Sequence, residues 1–420
     1  MQRRTLLQGA ALMGSALLPI GRAAWAARTD SPAGQGRLVV ILLRGAVDGL
    51  NVVVPYADPG YAAARPSIAL ARPGAEGGVL DLDGRFGLHP ALAPLLPLWQ
   101  QRRLAFVHAA GSPDATRSHF DAQDYMESAT PGRKSTPDGW LNRLLGALPA
   151  DGIERAAPTR AVSVGPVLPR ICAGRNAIAT IASGSAATRP TLLDRRPVGD
   201  AFAQLYDGDD KLAQAYQASQ LAHREVMSSM AGEDLQREMQ AADNGAPLPN
   251  GFPDDAARLA QLMRRDRRVQ LAFLALGGWD THANQGAASG QLANRLQPLG
   301  RGLAALAQGL GPAFDETTVV VMSEFGRTVR QNGNGGTDHG HGNVMWLLGG
   351  RVAGGQVLGR WPGLAADALY EGRDLAVTTD FRQVLAEVCT RHVGLPEARL
   401  DDVFPGHAWQ AGQALGVVRA

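Results

Sequence analysis

The chain has 420 residues, with 41 lysines and arginines against 39 acidic residues and only two cysteines. Cleavage after Ala26 would remove three arginines and no acid, leaving 38 basic against 39 acidic residues. So even a balance gives no ground for a nucleic-acid or anionic-membrane partner, and two cysteines outside any CxxC pair exclude a thiolate zinc knuckle and a thioredoxin-like motif.

Taken from the start, Arg3-Arg4, an apolar stretch to Ile20, Arg22 and Ala24-Trp25-Ala26-Ala27 read as a charged region, a hydrophobic region and a small-residue cleavage site. The arginine pair favours a twin-arginine signal peptide over residues 1–26. The apolar stretch falls short of the ~20 residues that span a bilayer, so the expectation is a periplasmic or otherwise exported protein with no stable transmembrane segment after cleavage. The twin-arginine export machinery is its first partner. A retained N-terminal anchor is the alternative. That export route carries folded proteins, often with a cofactor installed, which favours a metal or redox group.

Residues 27–420 read as one α/β domain. The run at 37–43, R-L-V-V-I-L-L, is continuously apolar, as in a strand buried on both faces of a parallel sheet. Similar runs occur at 104–108, 269–276, 317–322 and 344–348. Between them lie helical patterns at 92–98, at Ala256, Leu259, Leu262 and Met263 after Asp254-Asp255, and at Leu292, Leu296, Leu299, Leu303, Leu306 and Leu310. The run Arg264-Arg265-Asp266-Arg267-Arg268 falls in the last turn of its helix, where cations complement the dipole. Alternating buried strands and amphipathic helices predict a doubly wound, mostly parallel α/β sheet flanked by helices. The stretch 165–250 breaks the rhythm and predicts a helical insertion or cap, with a polar helix over 209–240. Cys172 and Cys389 either pair across the fold or stay as isolated buried thiols.

Ligands of an open parallel sheet bind outside the carboxyl ends of its strands. After the first run come Arg44, Asp48 and Asn51; after the second, Arg117-Ser118-His119 and Asp121, opening a helix. After the third come Asp280-Thr281-His282, and after the fourth Glu324-Phe325-Gly326-Arg327 and then Asp338-His339-Gly340-His341. Imidazole beside carboxylate is the ligand set of zinc, manganese or iron sites that keep a position open. Asp48, His119, Asp280, His282, Glu324, Asp338, His339 and His341 are therefore candidate metal ligands. The bland alternatives are helix caps and a polar surface loop. Ser118 is either the hydroxyl that meets an anion at a helix N-terminus or an ordinary N-cap with Asp121 three residues on. Arg117 and Arg327 are candidates for bidentate pairing with an anionic oxygen. His89, before Pro90, is either a ligand or part of a helix start. No dinucleotide or P-loop fingerprint follows a strand.

The motifs L-R-G-A-V-D-G-L-N-V-V-V-P-Y, R-S-H-F-D-A-Q-D, G-G-W-D-T-H, S-E-F-G-R-T and G-G-T-D-H-G-H-G, in this order, resemble the family called "domain of unknown function 1501", across essentially the whole mature chain. That family is grouped with the alkaline-phosphatase-like superfamily of phosphatases, sulfatases, phosphodiesterases and phosphomutases, which hold one or two metals at the sheet's carboxyl edge. The resemblance implies an alkaline-phosphatase-like fold, with Asp48 as the first-strand carboxylate, Ser118 as the nucleophile and Asp280 with His282 as a metal pair of shortened spacing. Glu324 stands at an aspartate position, and Phe325 where a histidine is expected, which leaves His339 or His341 to supply that nitrogen. No cysteine near residue 118 could become a sulfatase's formylglycine.

These readings converge on an exported hydrolase or transferase acting on phosphate or sulfate esters, dependent on one or two divalent ions drawn from Zn, Mn, Mg and Ca. Ser118, Arg117 and Arg327 are its expected catalytic residues, and an anionic ester its substrate. The alternative is a non-catalytic, metal-stabilised module that binds an anionic envelope polymer or a co-exported partner. A redox protein has only the export route in its favour, with no cofactor fingerprint.

Overall fold

The computed structural model describes residues 36–149, 158–183 and 241–419. The signal peptide expected over 1–26 and the polar helix expected over 209–240 lie outside the described residues.

Among the described residues, twelve strands follow in chain order: β1 (Arg37–Leu43), β2 (Val53–Val54), β3 (Leu80–Asp81), β4 (Gly87–Leu88), β5 (Leu104–Gly111), β6 (Ala161–Val164), β7 (Ala179–Ile181), β8 (Leu271–Leu276), β9 (Thr317–Ser323), β10 (Asn343–Gly349), β11 (Gln356–Leu358) and β12 (Thr379–Asp380). Nine of them form one sheet in the order β11-β5-β10-β9-β1-β8-β6-β7, with β12 also on β5, while β2, β4 and β3 make a small separate sheet. Only β10 runs against its neighbours; every other pairing in the main sheet is parallel. The five apolar runs of the sequence are β1, β5, β8, β9 and β10, and the mostly parallel α/β fold expected from them is what the chain adopts.

Their continuity has a direct cause. Side chains alternate between the two faces of a strand, so a strand covered on both sides must be apolar at every position. Along β1, Val39, Ile41 and Leu43 enter one core while Leu38, Val40 and Leu42 enter the other. Val319 and Val321 of β9 alternate with Val320 and Met322 in the same way. On the first face lie the helices α3 (Phe252–Arg265) and α4 (Gln291–Leu310), whose six-leucine stripe is buried throughout. On the second lie α1 (His119–Ser128), α2 (Trp140–Ala147) and α5 (Phe381–Val388). Each leucine so buried contributes roughly 2 kcal/mol of transfer free energy.

The stretch 165–250, expected as a helical insertion or cap, is described only in part. Within it β7 lies in the main sheet beside β6; residues 184–240 lie outside the described residues. Cys172 and Cys389 are both free and buried, and burial raises both thiols far above their ordinary range. His89 belongs to a helix start. Its Nδ1 accepts from Ala91 N at 3.0 Å and its Nε2 meets Ala287 O at 3.0 Å, and burial lowers its pKa to about 4.

Candidate metal centre

One edge of the sheet collects the polar motifs. The carboxyl ends of β5, β8 and β9 lie there, and because β10 is reversed, its beginning lies there too. The loop that precedes β10 therefore delivers Asp338 and His339 to the same rim that receives His119 after β5, Asp280 and His282 after β8, and Glu324 after β9.

Each donor has a local reason for its place. After β8, Trp279 is fully buried and its Nε1 donates to Leu276 O at 2.8 Å, which pins the turn that presents Asp280 and His282. The loop 326–342 folds back on itself, with Gly326 N donating to His341 O and Gly340 N to Gly326 O, both at 2.8 Å. A Cβ on Gly326 would stand 1.8 Å from Gly342 O, so only glycine allows this approach, which sets His339 across from Arg327 in an isolated β-bridge. Phe325 packs its ring 4.9 Å from that of His119 and 5.2 Å from that of His339. It supplies no ligand; it fixes the tilt of two rings that could.

At the centre, the Nε2 atoms of His119 and His282 each lie 2.9 Å from Nε2 of His339. Asp280 Oδ1 is 3.0 Å from His282 Nε2 and 3.5 Å from His339 Nε2, and its Oδ2 is 3.5 Å from His119 Nε2. One ligand atom each from His119, Asp280 and His339 falls within 4.8 Å of the others. The outer nitrogens are anchored: Nδ1 of His119 on Glu324 Oε1 at 2.9 Å, Nδ1 of His339 on Arg117 O at 2.8 Å, and Nδ1 of His282 on Asp338 Oδ1 at 3.3 Å. Carboxylate and carbonyl oxygens only accept, so all three Nδ1 atoms donate, and any ring that is neutral turns its Nε2 lone pair inward. Neutral rings in that pose would aim three lone pairs and a carboxylate at one another. Positive charge in its midst, a ring proton or a bound cation, offsets that repulsion, and oxygen-anchored imidazoles are how proteins orient metal ligands.

The electrostatics agree. Burial works against the charged form of His119, but hydrogen bonds to Asp280 and Glu324 prevail and raise its pKa to about 9. Burial opposes ionisation of Asp280 too, yet the three histidines and Arg327 hold its carboxyl far below the usual range. Glu324 is lowered in the same way by His119 and Gln123. His339 is lowered by burial, against the pull of Asp280.

The structure thus brings three of the eight candidate ligands, His119, Asp280 and His339, to one point, with His282 beside them against Asp280 and His339 and Glu324 and Asp338 one bond further out. It does not bring the other two there. The Asp48 carboxylate accepts from Arg65 Nη1 at 2.5 Å and Gln285 Nε2 at 2.7 Å, all of it buried, which makes it the partner of a structural arginine. His341 turns away, with Nε2 on Ser112 O at 3.1 Å and its ring against Tyr370. Arg327 is buried and donates to Asp280 Oδ1 at 2.6 Å and to Thr337, so it steadies a candidate ligand and is not free for a substrate. Arg117 pairs with Asp374 and Glu371. Ser118 is exposed at the N-cap of α1, its Oγ accepting weakly from Asp121 N at 3.4 Å. It sits between two residues that both touch the cluster. Sequence reading missed the carbonyl of Arg117, Asn332, which donates to Asp338 Oδ1 at 3.0 Å, and Gln123, which donates to Glu324 Oε1 at 3.0 Å. Gln123 stands one turn after His119 on α1, the only signal that could have found it.

Asp243 adds a titrating group beside the rim. It accepts from Gly278 N, and burial raises its pKa to about 6. Raised above an unfolded value of 3.8, it holds a proton in the folded state that the unfolded chain releases; its contribution to stability is present below pH ~4 and lost as pH rises through about 6. Asp243→Asn is expected to gain about 1–2 kcal/mol over the wild type at pH 7 and to gain nothing at pH 4, read from denaturant midpoints at the two values. An equal offset at both would show that the carboxyl does not titrate there.

Among solved structures, the chain is similar to Ps i-CgsB, solved with k-i-k-neocarrahexaose, at 10% identity and TM-score 0.39 over 86% of this chain and 72% of that one. It is similar to the PsFucS1 sulfatase from Pseudoalteromonas sp. at 12% identity and TM-score 0.37 over 100% and 78% of the two chains. A protein in the alkaline phosphatase superfamily from Vibrio parahaemolyticus gives 8% identity and TM-score 0.35 over 84% and 72%. No curated protein sequence matches. The family described as "Protein of unknown function (DUF1501)" matches residues 35–404, a span that holds β1 and every residue of the histidine cluster, and the chain belongs to that family.

Proposed function

We propose that the chain is an exported, metal-dependent hydrolase or transferase acting on phosphate or sulfate esters. The observation that carries this reading is the convergence of three inward-facing imidazole nitrogens and the Asp280 carboxylate at the carboxyl rim of the sheet. Three nitrogens and one carboxylate suit zinc or manganese better than magnesium or calcium, which take oxygen ligands. His119, Asp280, His282 and His339 would hold one such ion. When bound, it would draw charge from an ester oxygen and lower the pKa of a hydroxyl beside it.

The chain's own residues supply the rest. Glu324, Asp338 and the Arg117 carbonyl hold the imidazoles in one tautomer and orientation. Arg327 keeps Asp280 ionised. Ser118, at the N-terminus of the ten-residue α1, stands where backbone N–H groups and the helix dipole favour negative charge on an attacking oxygen or on the group transferred to it. The export reading rests on Arg3, Arg4 and the apolar stretch behind them; among the described residues no helix is long and apolar enough to cross a membrane.

Ser118→Ala is expected to abolish turnover of phosphate and sulfate monoesters while leaving the metal content unchanged, since the serine is no ligand. Wild-type turnover in that variant would remove the nucleophile role. Stoichiometric metal with no turnover of any ester by the native protein would favour the binding-module reading.

A further inference from the structure

Two arginines stand beside the cluster and lean on one buried acid. Asp374 is fully buried and accepts from Arg117 Nη2 at 2.8 Å and Arg373 Nε at 3.0 Å. Both arginines also touch His339: the carbonyl of Arg117 accepts from its Nδ1, and Arg373 Nη2 donates to its carbonyl oxygen at 2.6 Å. Arg117 Nη2 has a second partner, Glu371 Oε2, at 2.6 Å, on the exposed side. Glu371 sits at the tip of a turn with φ 54°, a left-handed conformation that residues other than glycine rarely adopt, and it aims an exposed carboxylate at the guanidinium.

The two contacts of Arg117 differ in strength. The bond to Asp374 is made with an acid that has no water to turn to, so it fixes the guanidinium. The bond to Glu371 joins a half-buried guanidinium to an exposed carboxylate, and pairs open to water are worth little. From this we propose that Arg117 is the seat for an anionic oxygen of the substrate, with Glu371 as a resident carboxylate that the incoming anion displaces. Asp374 keeps the guanidinium aimed during the exchange. A phosphate or sulfate group can present two oxygens to the guanidinium fork, whereas Glu371 meets it through Oε2 alone. The proposal rests on the ester reading above and adds to it the residue that selects a charged group and the residue that competes for it.

The test is isothermal titration of the full-length protein, as purified, with inorganic phosphate and with inorganic sulfate. Glu371→Gln is expected to tighten both two- to fivefold, the value of one exposed ion pair. Arg117→Met is expected to weaken both at least tenfold, and the double variant to behave like Arg117→Met alone. Glu371 lies on an exposed turn, so its substitution puts no core at risk. Unchanged or weaker binding in Glu371→Gln, or wild-type binding in Arg117→Met with an unaltered melting curve, would overturn the seat. The two readings fail separately. Ester turnover that depends on His339 with anion binding indifferent to Glu371 sinks this proposal alone, and tighter binding in Glu371→Gln without any turnover sinks the hydrolase reading alone.

Discussion

Changing His339 to alanine is expected to strip the protein of metal and to bring ester turnover to background. His339 is the hub of the cluster, since its Nε2 is the atom that both other histidines approach at 2.9 Å. Its loss removes a candidate ligand and leaves His119 and His282 without the group that fixes their spacing. Substituting an outer-shell partner such as Asp338 commonly costs about 10–100-fold in metal affinity, so Asp338→Asn is expected in that range and His339→Ala beyond it. Elemental analysis of dialysed protein, with zinc titration for the affinities, reads both. Equal metal content in His339→Ala and the native chain would end the metal-centre reading, whatever the esters show.

The second large effect is on stability and separates Asp48 from the metal. Arg65 and Asp48 are both wholly buried, and Arg65 also donates to Asn51 Oδ1 at 2.8 Å and to the carbonyls of Val329 and Thr328, each at 2.9 Å. Removing one partner of a buried pair leaves an uncompensated charge, which costs about 3–5 kcal/mol. Arg65→Met is expected to lose that much in urea unfolding, and Asp48→Asn added to it to recover part. Metal per folded chain should stay at the native level in both. If Asp48→Asn alone lost the metal, Asp48 would have to be counted among the ligands, as the first-strand position had suggested.

The fold was largely legible because a strand covered on both faces has no polar position to spare; five uninterrupted apolar runs became five neighbouring strands. The leucine stripe of α4 was legible for the complementary reason, one buried face at a spacing of three and four. The reversed direction of β10 was not legible, since an apolar run carries no sign of its orientation, yet that reversal is what brings His339 to the rim. Within the site, residue type pointed to Asp280, His282 and His119, but type cannot say which acid faces a guanidinium, and Asp48 and Arg327 are answered by Arg65 and Asp280. The two histidines of H-G-H were indistinguishable in sequence. The fold-back at Gly326 and Gly340 turns one inward and sends the other to Ser112. Backbone acceptors such as the Arg117 carbonyl leave no trace in sequence at all.

The cluster is assembled from far-apart pieces of chain: His119 meets Glu324 across 205 positions and His339 across 220. Contacts so distant in sequence close late, after the entropy of the intervening loops has been overcome. No fragment that ends before His339 could offer the three nitrogens together, so cation uptake can stabilise the finished fold but cannot guide its early steps. If the chain is exported already folded, as the Arg3-Arg4 pair suggests, an ion at this cluster would be drawn from the pool on the side where synthesis ends, and the supply there, as much as the ligand set, would decide which metal is taken.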